Sequence, residues 1–329
     1  MEVLRSLGEL RAWAQRPLAV TVGFFDGVHR GHAHLLGRLI AAARARNAHS
    51  LVVTFSNSPR AFHQHGGEWR YLTLPEEKTE LLAELGIEAT LMLPYDELVA
   101  AQTALQFYRA FSACAPLSAF VMGYDTSVGS DMLRGESQFR VLAQELHAEL
   151  DFVEAFLWRG QAVKSSMVRR LVLAGEMARA RDLLGHPYYV MGSVGSGKGR
   201  GGELLGAPTA NIYIPREKIA PPTGVYAGLA DAGGVRFPAA IVVLTVEESH
   251  HTVLERVAAA QVNARDPAQV IVEAHLIGYR GDLYGAPLAL RFLDRLRDFR
   301  DFASHEALAE QIRLDIAAAI ELAALEGAR

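Results

Sequence analysis

In the first half of the chain, short apolar runs alternate with longer segments in which apolar residues recur at helical spacing. The short runs predict buried strands, and they cover residues 18–22, 50–55, 89–93, 119–123 and 152–154. The longer segments predict amphipathic helices, and they cover residues 32–43, 75–85, 103–111 and 136–150. Because strands that alternate with helices are typical of a doubly wound parallel sheet, we expect an α/β fold here.

The pattern changes in the second half. Two short helices are predicted at residues 167–174 and 178–184, and then glycine-rich β runs extend from Tyr188 to Leu293, interrupted by one predicted helix at residues 254–260. Such short runs predict a small antiparallel β-barrel, and a long amphipathic helix is predicted to follow at residues 306–325. We therefore predict two domains, residues 1–184 and 185–329, since 329 residues suffice for two cores.

Composition narrows the classes of function. The net charge is −4 and half of the residues are hydrophobic, so neither a nucleic acid nor a membrane surface is expected as a partner. Cys114 is the single cysteine, which excludes a disulfide within the chain and fits a cytoplasmic location. A homo-oligomer is possible, but the sequence does not indicate one.

The densest motif directly follows the strand at residues 18–22 and reads Gly-x-x-Asp-Gly-x-His-x-Gly-His, from Gly23 to His32. It places His29 and His32 at the start of a helix, where free backbone N–H groups and the helix dipole attract phosphate. Glycines such as Gly31 let a ligand approach the backbone. Since ligands bind at the carboxyl ends of parallel strands, this turn is a candidate site for charge stabilisation on nucleotide phosphates.

A second group of candidate residues lies in the β-rich half. Thr209 and Asn211 are two positions apart, so on an extended strand both side chains face the same side. Their oxygens suit Mg²⁺. Glu273, within an apolar strand at residues 270–276, is a candidate general base towards a substrate hydroxyl. A Pro-Thr turn and a salt-bridged glutamate on the strand face are the structural alternatives.

One glycine-rich segment imitates a P-loop. Residues 192–199 read Gly-Ser-Val-Gly-Ser-Gly-Lys-Gly, so Gly199 stands where a P-loop has a magnesium-binding Ser or Thr. No helix is predicted after it. We therefore interpret Gly197, Lys198 and Gly199 as part of a flap that contacts phosphate through backbone N–H groups.

Residues 23–32 resemble the nucleotide-binding signature of the bacterial bifunctional riboflavin kinase/FAD synthetase (FMN adenylyltransferase) family. Residues 206–211, Gly-Ala-Pro-Thr-Ala-Asn, resemble the Pro-Thr-Ala-Asn motif of its riboflavin kinase domain, and the block around Glu273 resembles the one that carries its catalytic glutamate. The resemblance runs through nearly the whole chain in the family's order. It implies that the chain uses ATP and Mg²⁺ to convert riboflavin to FMN and FMN to FAD.

The resemblance also implies a set of site residues. His29, His32 and Glu273 would be catalytic, and Thr209 and Asn211 would hold the metal with ATP. The other implied contacts to nucleotide or flavin are Gly23, Phe24, Asp26, Gly31, Asp125, Ser165, Ser166, Arg169, Gly197, Lys198, Gly199 and Arg297.

The chain departs from the family pattern where the flavin ring would be held. The family's Pro-His-Pro segment appears as Ser58-Pro59-Arg60, the Gly-x-Asp-Phe-x-Phe-Gly loop at residues 123–129 lacks both aromatic residues, and the Ile-Gly-x-x-Pro-Thr-Phe segment is absent. Three interpretations follow: a divergent bifunctional enzyme, an enzyme with one active half, and a non-catalytic paralogue that binds flavin or nucleotide. The first is the prediction.

Overall fold

The chain folds into two compact units, Met1–Ser165 and Ser166–Arg329, in a computed structural model. The structure describes residues 1–64, 69–195, 209–245 and 270–327. The units divide ahead of the domain boundary predicted after residue 184, because two short helices are grouped with the second unit. That boundary stays a prediction. Within the described residues, no helix is both long and apolar enough to cross a membrane.

The first unit alternates strands and helices. Its strands are β1 Glu2–Leu4, β2 Leu18–Val22, β3 His49–Phe55, β4 Ala89–Leu93, β5 Leu117–Gly123, β6 Ser127–Val128, β7 Leu133–Arg134, β8 Glu149–Val153, β9 Leu157–Trp158 and β10 Gln161–Ala162. Its helices are α1 Leu7–Trp13, α2 Arg30–Ala45, α3 Pro59–His63, α4 Pro75–Glu84, α5 Glu97–Ala101, α6 Ala104–Ser112 and α7 Glu136–Glu145.

Six of these strands form a parallel sheet in the order β1-β4-β3-β2-β5-β8, which confirms the predicted α/β fold. The central strands are buried along their length, as apolar runs between helical layers must be. From β2 the chain builds outwards through β3 and β4, and it then returns to place β5 on the other side of β2. The switch point, where open α/β sheets bind ligands, therefore lies between the carboxyl ends of β2 and β5.

One predicted helix was too long. The segment at residues 136–150 was predicted as a single helix, but α7 ends at Glu145 and β8 begins at Glu149. His147 adopts a left-handed conformation, with φ of 52°, which stops the helix. Residues 149–153 then pair in parallel with β5, so sheet pairing overrides their local helical pattern.

The second unit is mostly β. Its helices are α8 Ser165–Leu173, which starts at the last residue of the first unit, α9 Met177–Leu184 and α10 His305–Gly327. Its strands are β11 Tyr188–Ser193, β12 Thr209–Tyr213, β13 Gly224–Ala232, β14 Val235–Thr245, β15 Val270–Leu276 and β16 Pro287–Arg297. The helix predicted at residues 254–260 lies outside the described residues.

The strands of this unit form one antiparallel sheet in the order β11-β16-β13-β14-β15-β12. The sheet curls until its two edges meet, where the Gly195 N–H donates to the Asn211 carbonyl oxygen at 2.9 Å. The predicted small antiparallel barrel with a terminal helix is therefore confirmed. Its interior holds the buried rings of Tyr226 and Phe292, whose centroids are 5.3 Å apart.

An ion pair links the terminal helix α10 to the end of β16. The Arg297 guanidinium donates to the Asp315 carboxylate from both Nε and Nη2, the latter at 2.8 Å, and the Gln311 amide donates to the same carboxylate at 2.8 Å. Both charged side chains are largely buried, at 18% and 8% exposed. Removing one partner would leave the other as an uncompensated charge in a partly dry environment.

We expect Asp315→Asn to destabilise the second unit by about 3 kcal/mol, because Arg297 loses its counter-charge. All three tryptophans, Trp13, Trp69 and Trp158, lie in the first unit, so their fluorescence follows the unfolding of that unit alone. Denaturant unfolding followed by circular dichroism as well should show the additional transition of the second unit moving to lower denaturant.

The matched control is Glu310→Gln, which breaks the exposed pair between Arg313 and Glu310 on the same helix. We expect a change of about 0.5 kcal/mol or less. Equal effects of the two variants would contradict the view that Arg297 and Asp315 hold the helix in place.

Candidate functional sites

The turn after β2 lies at the switch point of the first unit. The Gly23 N–H donates to the Val53 carbonyl oxygen of the adjacent strand at 3.1 Å, which continues the sheet for one residue. Phe25 and Val28 then take positive φ values of 53° and 40°, an unusual geometry for such residues. A Cβ on Gly23 would lie 2.9 Å from the Phe25 ring, so a larger residue here would displace that ring.

The two candidate histidines stand together where α2 begins. His29 is the N-cap residue, and its Nδ1 accepts a hydrogen bond from the His32 N–H at 3.3 Å. The two imidazoles stack with centroids 3.6 Å apart and an interplanar angle of 15°. Gly31 permits this arrangement, since a Cβ there would approach the His29 ring to 3.1 Å. The sequence prediction that both rings share the helix start is therefore met in the structure.

The surroundings of His32 favour the neutral form of its imidazole. Burial holds the pKa of His32 well below its usual range, and His29 and Lys78 lower it further. Its Nδ1 is buried and has no hydrogen-bond partner among the described residues. A neutral imidazole with an unused polar atom at a helix start is suited to a phosphate ligand.

Asp26 is buried and links the turn to the segment at residues 72–73 by hydrogen bonds. Its Oδ1 accepts hydrogen bonds from the backbone N–H groups of Leu72 at 2.9 Å and Thr73 at 3.1 Å. In return the Thr73 hydroxyl accepts from the Gly27 N–H at 3.0 Å. The Ser165 hydroxyl donates to the Asp26 carbonyl oxygen at 2.9 Å. Asp26 and Ser165, which the sequence suggested as ligand contacts, therefore also position the turn.

Lys78 is a site residue that the sequence reasoning missed. It lies on α4 with 1% exposure, and its ammonium nitrogen is 4.0 Å from the centroid of the Phe24 ring. A signal was available in the sequence, because the buried Leu81 and Leu82 follow Lys78 at i+3 and i+4. Helical periodicity thus places a charge on the apolar face of α4.

The remaining candidates of this site are not all gathered at the turn. Asp125 lies exposed in the loop after β5, at the second strand end of the switch point. Ser166 and Arg169 lie on α8 and belong to the second unit. Their suggested contacts to nucleotide stay predictions.

The second site is built by the register of two strands. In the antiparallel pair of β12 and β15, Asn211 lies opposite Glu273 and Thr209 lies opposite His275. Alternation along each strand puts these four side chains on one face of the sheet. Burial raises the pKa of Glu273, and a hydrogen bond with the Thr209 side chain partly offsets this increase. A carboxylate with a raised pKa is suited to accept a proton.

The residues of this cluster fit a divalent cation. The Oδ1 atom of Asn211 is buried without a hydrogen-bond partner in the described parts of the chain. A buried amide oxygen is costly unless it is satisfied. Together with the hydroxyl of Thr209 and the carboxylate of Glu273, it forms a set of hard oxygen donors of the kind that Mg²⁺ accepts.

Two further sequence predictions have different outcomes. Arg297 was suggested as a ligand contact, yet its guanidinium is engaged by Asp315, so any contact to a cofactor would be additional to this ion pair. Gly197, Lys198 and Gly199 lie outside the described residues.

Comparison with known proteins also divides the chain into an N-terminal and a C-terminal part. The sequence model of the FAD synthetase family matches residues 11–167, and that of the riboflavin kinase family matches residues 184–323. A bifunctional riboflavin kinase/FMN adenylyltransferase of Pseudomonas fluorescens is 30% identical over 333 residues, covering 98% of each chain. The namesake protein of Bacillus subtilis is 28% identical over 304 residues, covering 92% of this chain and 91% of its own.

A solved structure supports the fold. The crystal structure described as a macrolide-efflux protein from Streptococcus pneumoniae superposes with a TM-score of 0.78, at 24% identity, over 96% of this chain and 97% of its own. The two family matches define the class as a two-domain transferase of phosphorus-containing groups. The matches over both units are more specific: the chain belongs to the bifunctional riboflavin kinase/FMN adenylyltransferase family.

The raised pKa of Glu273 predicts a pH-dependent stability. Since folding favours the protonated carboxyl group, the ionised form costs stability above the raised pKa. We expect Glu273→Gln, which keeps an oxygen that can accept from Thr209, to raise the melting temperature of the second unit at pH 8. The gain should shrink as the pH falls through the raised pKa, where the wild-type carboxyl group is already neutral.

Thermal melts followed by circular dichroism between pH 4 and pH 8 provide the measurement, in steps of about one pH unit. The exposed Glu217 supplies the control, Glu217→Gln, for which we expect no such pH-dependent gain. A constant difference between Glu273→Gln and the wild type at every pH would contradict the prediction.

Proposed function

We propose that the chain makes FAD from riboflavin in two ATP-dependent steps. The second unit phosphorylates riboflavin to FMN, and the first unit transfers AMP from ATP to FMN with release of pyrophosphate. The observation that carries this proposal is that both family matches occur in order on one chain, each over a unit with its own polar site. Riboflavin, FMN and ATP are then the partners, and a cytoplasmic location and a homo-oligomer stay predictions.

In the second unit, Glu273 is proposed as the general base. Its carboxylate accepts the proton of the riboflavin hydroxyl while that oxygen attacks the γ-phosphorus of ATP, and the bond from this phosphorus to ADP breaks. Burial supports the role because it raises the pKa of Glu273. The neighbouring Thr209 hydroxyl keeps the carboxylate oriented.

Thr209 and Asn211 are proposed to hold Mg²⁺ with ATP. Mg²⁺ supplies charge neutralisation on the phosphates when bound. The unpartnered, buried Oδ1 of Asn211 supports this assignment, because a cation would satisfy it. Gly197 to Gly199 are proposed to contact the phosphates through backbone N–H groups, as the sequence suggests.

In the first unit, an FMN phosphate oxygen is the nucleophile, so no nucleophile from the protein is needed. This oxygen attacks the α-phosphorus of ATP, and the bond from the α-phosphorus to the oxygen of the leaving pyrophosphate breaks. His29 and His32, with the N-terminal N–H groups of α2, stabilise the charge that moves onto pyrophosphate. Their stacking at 3.6 Å supports joint action on one anion.

The proposal predicts that the two activities can be separated by single substitutions. We expect His32→Ala to lower the formation of FAD from FMN and ATP by about a hundredfold, because a group stabilising the transition state is lost. The same variant should phosphorylate riboflavin at the wild-type rate. Glu273→Gln should show the reverse, with a loss of about a hundredfold or more in FMN formation.

The measurement is a chromatographic assay with riboflavin, ATP and Mg²⁺, and a second assay started from FMN. Tryptophan fluorescence monitors the fold of the first unit in His32→Ala, and circular dichroism monitors that of the second unit in Glu273→Gln. Wild-type protein that forms FMN alone would leave only the kinase half active. Wild-type protein that forms neither product, although ATP raises its melting temperature, would establish the non-catalytic alternative.

A further inference from the structure

Lys78 has an environment that is unusual for a lysine. It is fully enclosed in the first unit, at 1% exposure, and it has no carboxylate within salt-bridge distance among the described residues. Burying an ammonium group costs several kcal/mol unless hydrogen bonds or other charges compensate. A methionine or leucine would fill this position on α4 at a lower cost. The presence of a charge at this position therefore requires an explanation.

The ammonium group contacts both the end of β3 and the turn that carries the two histidines. Its nitrogen donates to the Phe55 carbonyl oxygen at 3.1 Å and to the Thr54 hydroxyl at 3.4 Å. The Thr54 hydroxyl in turn donates to the Phe24 carbonyl oxygen at 3.1 Å. The Phe24 ring lies against the ammonium group at 4.0 Å, within the range of a cation–π contact.

These contacts use the three donors of the ammonium group, two in hydrogen bonds and one towards an aromatic face. Lys78 is thus occupied by the protein and is not arranged as a direct phosphate ligand. It joins the carboxyl end of β3 to the first residues of the turn after β2. The same helix is tied to that turn a second time, through the bonds of the preceding Leu72 and Thr73 to Asp26.

The charge of Lys78 also acts at a distance. Its field contributes to lowering the pKa of His32, after burial and the His29 ring. The groups that interact electrostatically with Lys78 are the carboxylate of Asp26, which favours the ammonium form, and the His32 imidazole. Burial outweighs Asp26 and lowers the pKa of Lys78 itself to about 7.

We propose that Lys78 is a positioning residue for adenylyl transfer: it fixes the Phe24 end of the turn by its contacts, and it places a positive charge near the His32 ring. This inference rests on the proposed function of the first unit. It assigns the site a residue outside the turn motif. It also explains why a charge is retained on the buried face of α4.

The test compares Lys78→Met and Lys78→Gln with the wild-type full-length chain. Methionine fills most of the space but removes both the donors and the charge, whereas the shorter glutamine removes the charge and keeps two amide donors. We expect kcat for FAD formation from FMN and ATP to fall by about tenfold or more in Lys78→Met, because the turn is misplaced. We expect a smaller loss in Lys78→Gln.

The pH profile distinguishes a positioning role from a merely structural one. The profile of kcat/KM reports the pKa values of the free enzyme. Since the charge of Lys78 lowers the pKa of His32, both variants should move the acid limb of FAD formation to higher pH. A residue that only supports the fold would lower the rate and leave this limb in place.

Tryptophan fluorescence monitors the fold of the first unit, and riboflavin phosphorylation by the second unit should be unchanged. The control variant is Glu76→Gln, which removes an exposed charge from the same helix and should leave both the rate and the pH profile unchanged. An unshifted acid limb in both variants, a wild-type rate in Lys78→Met, or equal loss of both activities in both variants would each overturn the assignment of Lys78. Wild-type protein that forms no FAD from FMN would instead overturn the function on which the assignment rests.

Discussion

The first site depends on one constraint: a turn between β2 and α2 must expose backbone N–H groups and still hold two imidazoles in contact. The residues of such a turn do not fix its conformation by themselves, because glycines make the backbone conformation accessible without stabilising it. The fixing groups come from elsewhere in the sequence. Asp26 binds the backbone at residues 72 and 73, and Ser165 binds the Asp26 carbonyl from the far end of the unit. Groups far apart in the chain thus preorganise a ten-residue motif.

The two units prepare their sites by different means. In the first unit, a helix start gathers N–H donors and imidazoles, so the site attracts negative charge before any ligand arrives. In the second unit, antiparallel pairing sets Asn211 against Glu273, and alternation along the strands keeps Thr209 on the same face. Neighbouring strands hold this geometry, so it needs no unusual backbone. Both arrangements are suited to electrostatic positioning, which dominates phosphoryl transfer.

The sequence was most informative where local chemistry determines the structure. The apolar run at β2, the glycines after it and the histidines at the start of α2 are all within about fifteen residues, and the structure shows them as predicted. It was less informative where pairing or burial decides. The segment after Glu145 has a helical pattern, but it pairs with β5 and forms a strand.

The sequence by itself determined the α/β and β-barrel organisation and the helix start with its two histidines, because periodicity and turn chemistry are local properties. Strand pairing is what brings Glu273 opposite Asn211. Only the tertiary structure decided which groups surround these motifs. Lys78 lies 46 residues after His32, and only the packing of α4 against the strand ends brings its charge beside the turn. The effect of that charge on the pKa of His32 depends on burial, and burial is a property of the folded chain as a whole.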